Sequence, residues 1–134
     1  MDKKKLAITN HDKGYNCCQA VACAFATELN VDEEILFKAG EGFGLGMGCT
    51  DCTCGAISGA IMVTGFKNST ANLDGEKSKG STYQLSKEIV RKFEEKNGAL
   101  LCKDLKDIET GRPLGSCSGY IEDATALVEE ILGL

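Results

Sequence analysis

Between Asn16 and Leu29, the residues Cys17, Ala20, Val21, Ala24, Phe25 and Leu29 fall at helical spacing on one face, with Asn16 placed to cap them. Cys18, Ala22, Cys23 and Ala26 carry the apolar surface onto the flanks, so the pattern predicts a first helix enclosed on most sides. Asp32 opens a second helix, with Glu33 and Glu34 where carboxylates meet the positive end of the helix dipole and Ile35, Leu36, Ala39 and Phe43 as its buried face. A third is expected from Cys54 to Phe66, with Cys54 in its first turn. Gly55, Gly59 and the neighbouring alanines give it a smooth face for close packing. In a fourth, about Ser81 to Lys96, Leu85, Ile89 and Phe93 recur every four residues with Tyr83 and Val90 beside them, and Asn97 and Gly98 stop it. Tyr120, Ala124, Leu127, Val128, Ile131 and Leu132 form the stripe of a fifth, starting near Ser118 and ending at Gly133.

No strand pair or internal repeat competes with this pattern. The short Leu6 to Ile8 segment is left unassigned, the polar stretch from Lys67 to Gly80 reads as a solvated connection, and Cys102 to Cys117, with the single proline Pro113, reads as a loop. Gly40, Gly42, Gly44, Gly46 and Gly48 occupy every second position just before a cluster of cysteines. The fold class expected is all-α: one domain over residues 1–134, a bundle of about five helices with a Gly/Cys-rich loop between helices two and three.

Charge and hydropathy narrow the setting. A net charge of -5 with no basic stripe leaves nothing to neutralise phosphates, so neither nucleic acid nor a membrane surface is expected as a partner. The N-terminal lysines are not followed by an apolar stretch fit for a signal peptide. The longest apolar run, Ala56 to Phe66, is interrupted and well short of the ~20 residues of a membrane span. A cytoplasmic location is therefore expected. The apolar first helix and the smooth face of the third together suggest a homodimer, since they offer more apolar surface than one small bundle readily covers.

Eight cysteines beside a single histidine change the picture most. At that density in a reducing compartment, thiols bind metal or exchange electrons rather than staple a fold. Cys17 and Cys54 sit at predicted helix starts, Cys102 follows the stop of the fourth helix and Cys117 precedes the fifth. Helix N-termini stabilise thiolate, the form that ligates metal and attacks disulfides. Cys49, Cys52 and Cys54 overlap as C-x-x-C and C-x-C. The βαβ surroundings of a thioredoxin-type site are missing, and Thr53 stands where a haem-attachment motif needs histidine.

Thiolates favour zinc or an iron–sulfur centre, and with only His11 as an alternative the ligand set would be all cysteine. Cys17, Cys54, Cys102 and Cys117 are the primary candidates, Cys18, Cys49 and Cys52 secondary ones, and Cys23 an inert apolar residue. Two other readings stay open. One is a metal-free thiol–disulfide protein in which Cys54 attacks and Cys17, Cys102 or Cys117 resolves the mixed disulfide. The other is a zinc-stabilised interaction module. The glycine run lacks the third glycine of a dinucleotide site and the lysine of a P-loop, and neither Ser58 nor His11 has the neighbours of a hydrolase site.

Residues Gly14 to Val21, the Gly42 to Gly48 run, Cys54-Gly-Ala-Ile-Ser-Gly-Ala60, Cys102 to Leu105 and Cys117 together resemble the C_GCAxxG_C_C family of redox-active proteins. The resemblance spans most of the chain from Gly14 onward. It implies a helical domain with a redox role and places the family's cysteines on Cys17, Cys54, Cys102 and Cys117. The same kind of domain is similar to the non-haem part of split-Soret-type cytochromes, which implies iron–sulfur binding and hence an electron-transfer partner. This sequence departs from the pattern in having no glycine before Cys54 and in carrying Cys18, Cys23, Cys49 and Cys52 as additions.

Overall fold

In the computed structural model, which describes residues 2–106 and 115–134, helices account for the regular structure and no strand forms among those residues. Pro113 and the middle of its loop lie outside the described residues. The helices are α1 (Lys3–Asp12), α2 (Cys17–Cys23), α3 (Ala26–Leu29), α4 (Glu33–Gly40), α5 (Gly55–Asn68), α6 (Lys79–Asn97), α7 (Cys102–Lys106) and α8 (Cys117–Leu132). Between α4 and α5 the chain passes through a 3-10 turn at Glu41–Phe43 and a tight segment, Gly44–Met47, in which Leu45 and Gly46 take positive φ and break helical geometry.

The all-α class holds, and each of the five expected helices is present, with details that differ. The first is split into α2 and α3, with Ala24 and Phe25 between them. It opens with a full capping box: the Asn16 side chain accepts from the Gln19 N–H while the Gln19 side chain accepts from the Asn16 N–H. Cys54 is the residue before α5 rather than in its first turn, and α8 begins at Cys117 itself. Gly98 ends α6 in the left-handed conformation.

Two helices were not legible. In α1 only Leu6, Ala7 and Ile8 are apolar among lysines, too thin a stripe to show a period; the helix is held from outside by packing on α8 and α2. Buried Asn10 ties it down, its amide donating to the Ala20 carbonyl over 3.2 Å. The five residues of α7 are too few for any periodicity.

Helix α5 lies at the centre, packed against α2, α6 and α8. Ala56, Ile57, Ala60 and Val63 are buried along it and meet Val21 and Phe25 of α2, Ile89 and Phe93 of α6, and Ile121, Ala124 and Val128 of α8 in one core. The expected buried face of α4 is corrected: Leu36 is enclosed, but Ile35, Ala39 and Phe43 are exposed. The helix packs chiefly on α2, with Leu36 and Gly40, four residues apart, buried, and Phe37 meets the Tyr15 ring just before α2. Tyr83 likewise faces solvent, since the first turns of α6 run past the core.

The two apolar faces that suggested a homodimer are covered within the single chain. Cys18 to Phe25 are buried, and Gly55 and Gly59 lie against α2. Among the described residues no helix is long and apolar enough to cross a membrane.

Candidate functional site

Four separated segments bring Cys17, Cys54, Cys102 and Cys117 to the wall of one cavity of about 190 Å³. Each stands at the start of a helix: Cys17, Cys102 and Cys117 are the first residues of α2, α7 and α8, and Cys54 directly precedes α5. Cys54 and Cys102 are buried, while Cys17 and Cys117 are half-buried. His11, Leu45, Lys106 and Tyr120 also contribute to the wall.

Close packing fixes these helix starts relative to one another. A Cβ on Gly55 would lie 3.1 Å from the Cys17 Cβ, so the absence of a side chain lets Cys54 and Cys17 share the site. The glycine run wraps the same region: a Cβ on Gly44 would fall 2.5 Å from the Asn16 side chain, and one on Gly46 would fall 2.5 Å from the Cys102 Cβ. Asn16 in turn donates through its amide to the Glu41 carbonyl at 2.9 Å, clasping the start of α2 to the end of α4.

Backbone pairing supplies the remaining alignment. The N–H groups of Cys54, Cys102 and Lys103 donate to the carbonyls of Leu100, Cys52 and Thr50, each at 2.8 Å, around an isolated antiparallel bridge between Thr53 and Leu101. The Tyr120 hydroxyl donates to the Leu105 carbonyl at 2.8 Å and joins α8 to α7 beneath the cavity.

The four sulfurs are not electrostatically equivalent. A side-chain hydrogen bond links Cys17 and Cys117, and the two divide the consequences. Accepting from Cys17 is the main cause that lowers the Cys117 thiol to about 6; burial opposes it, and the neighbouring Lys106 and His11 lower it further. Cys17, holding the shared proton, is pushed well above the thiol range by that same bond, then by burial and the nearby sulfurs. Burial raises Cys54 despite the opposing pull of the Ala56 and Ile57 N–H groups, whose geometry falls short of a capping hydrogen bond. Burial also raises Cys102, against the charge of Lys106. Helix starts alone therefore do not make these cysteines thiolates; Cys117 is singled out by its neighbours.

The other cysteines lie outside the cavity wall. Cys18 is fully enclosed against Gly40, and burial followed by the neighbouring Cys23 pushes it up to about 12. Cys23 is buried too, its S–H directed to the Glu33 carbonyl at 3.8 Å. Cys49 is exposed and Cys52 half-buried on the outer side of the glycine-rich turn. Sequence reasoning missed Lys106, Tyr120 and the place of His11 as wall residues. His11 could not be placed without α1, and Lys106 needed α7.

Comparison with known proteins gives one result. The family described as "Putative redox-active protein (C_GCAxxG_C_C)" matches residues 15–131. The chain belongs to this C_GCAxxG_C_C family. The match runs from the residue before Asn16 almost to the end of α8, so it includes all four cavity cysteines. No curated protein and no solved structure gave a match.

The cavity also bears on which metal group the donors suit. All four are thiols, the ligands preferred by iron–sulfur clusters and by structural zinc. Among the described residues no three His, Cys, Asp or Glu side chains are grouped to hold a single metal ion. Four thiols on one cavity wall are donors of the kind that either centre takes.

Proposed function

We propose that this protein is a redox or electron-transfer protein whose Cys17, Cys54, Cys102 and Cys117 hold an iron–sulfur cluster in a reducing compartment. The observation that carries the reading is the convergence of these four cysteines, from four helix starts, on one cavity. When bound there, such a cluster supplies one-electron transfer. The protein's part is to hold and shield it. Cys54 and Cys102 are buried anchors, Cys17 and Cys117 close the more open side, and Leu45 and Tyr120 keep the wall apolar.

Loading moves protons, because ligation takes thiolates. Cys117 is the residue already held toward thiolate, and Cys17, Cys54 and Cys102 must release protons. Lys106 places positive charge against the anionic sulfurs. A second reading is favoured by the Cys17–Cys117 hydrogen bond: a metal-free dithiol in which Cys117 attacks a disulfide and Cys17 resolves it.

Alkylation of the anaerobically purified protein, mapped by mass spectrometry, separates the two. A cluster protects all four cavity cysteines while exposed Cys49 is modified. In a metal-free dithiol protein, Cys117 is modified rapidly, and mild oxidation joins it to Cys17.

A further inference from the structure

We propose that Cys49 and Cys52 form a second, surface dithiol that reduces disulfides independently of the four-cysteine cavity. Neither residue lines that cavity, and neither is buried in the core. Cys49 is near enough to Cys52 that, after burial, its charge and hydrogen bonding raise the Cys52 thiol. Both are also tied to a single carbonyl: Gly46 accepts from the Cys49 S–H at 3.5 Å and from the Cys52 N–H at 3.3 Å.

The turn carrying them is held shut from both sides. Thr50 adopts φ 66°, a left-handed conformation that is costly for a residue with a side chain, and its N–H donates to the Leu45 carbonyl at 2.8 Å. On the other side, the carbonyls of Thr50 and Cys52 accept from the N–H groups of Lys103 and Cys102, each at 2.8 Å. This strained and pinned turn keeps the two sulfurs adjacent at the surface. Among the described residues no third donor joins them in a group arranged for a metal ion. Adjacent, accessible sulfurs on a fixed backbone are what disulfide exchange requires.

The exchange proceeds in two steps. Exposed Cys49, as thiolate, attacks one sulfur of a substrate disulfide RS–SR; the Cys49–SR bond forms, the RS–SR bond breaks, and the departing RS⁻ takes a proton from solvent. Cys52 then gives its proton to solvent and attacks the Cys49 sulfur. The Cys49–Cys52 bond forms and the second RS⁻ leaves and is protonated. Two electrons and two protons pass from the dithiol to the substrate, giving two RSH.

Glutathione disulfide is a suitable probe with the full reduced chain under anaerobic conditions, followed by non-reducing peptide mapping. The wild type is expected to release two glutathione thiols per chain and to gain a Cys49–Cys52 disulfide. Cys52→Ser should release one and retain glutathione on Cys49, and Cys49→Ser should react at least tenfold more slowly than the wild type. Circular dichroism checks that both variants are folded, which their surface positions favour. Stable glutathione on Cys49 of the wild type with Cys52 free, or a disulfide that joins either residue to Cys102, would overturn the proposal. A disulfide that joins Cys49 or Cys52 to Cys17, Cys54 or Cys117 would overturn the independence of the two sites, while failure of the Cys49 chemistry alone leaves the cavity reading untouched.

Discussion

A Cβ on Gly59 would stand 2.6 Å from the carbonyl oxygen of Cys18 and 3.1 Å from the Cβ of Val21. The bare backbone of α5 at this point therefore lies directly on α2. One helical turn earlier, Gly55 makes the corresponding approach to Cys17. The contact that seats α5 in the core is thus continuous with the one that places Cys54 beside Cys17.

Gly59→Ala should destabilise the fold by ~1–3 kcal/mol, because the obstructing atom is backbone that cannot rotate away. Gly65→Ala serves as the comparison. It lies in the same helix with nothing within 4 Å of its added Cβ, and should leave stability unchanged or raise it by ~0.5–1 kcal/mol. Urea unfolding of the two variants measures both, and equal effects would contradict the assigned helix contact.

In reduced, metal-free protein one thiol should ionise near pH 6, against an ordinary cysteine value of ~8.5. A depressed folded pKa means that the Cys117 contribution to stability is full above about pH 8.5, shrinks as pH falls toward 6 and is absent below it. Cys17 has the opposite sign: its contribution is full below about pH 8.5 and is lost as pH rises beyond that. Ultraviolet thiolate absorbance follows the ionisation directly. The early step should vanish in Cys117→Ser and move to higher pH in Lys106→Met; a wild type with every thiol titrating above pH 8 would contradict the assignment.

Tyr120→Phe should cost ~1–3 kcal/mol by leaving the Leu105 carbonyl without its buried donor. Because that bond joins α8 to α7, the variant should also expose Cys102 to alkylation several-fold faster. Stability loss without faster labelling of Cys102 would show that α7 is positioned independently of Tyr120.

The apolar periods of α2, α6 and α8 were legible because each buries a stripe against α5 or its neighbours, and α5 was legible from its apolar run and its face of small residues. Cys17, Cys54, Cys102 and Cys117 were recognisable as helix-end residues for the same reason, before any contact among them was known. What lay hidden depended on long-range contacts. Helix α1 has almost no apolar stripe and is held through Asn10 to Ala20, ten residues away, so His11 could not be placed at the cavity. The unequal ionisation of the cysteines was equally hidden, since it depends on Cys17 meeting Cys117 and on Lys106 of the short α7. Exposure of Ile35 and Phe43 escaped the pattern because an apolar spacing does not reveal how few neighbours a helix has.

Iron and acid-labile sulfide, measured together with the visible absorption spectrum, test the four-cysteine centre most directly. The samples are anaerobically purified wild type, reconstituted with iron and sulfide where needed, beside Cys→Ser variants at positions 17, 54, 102, 117 and 18. A brown wild type is expected, with iron and sulfide at least tenfold lower in each of the four cavity variants and retained in Cys18→Ser, whose sulfur is enclosed elsewhere. A wild type that stays colourless after reconstitution, or a Cys18→Ser protein that loses iron as fully as Cys54→Ser, would contradict the cluster assignment.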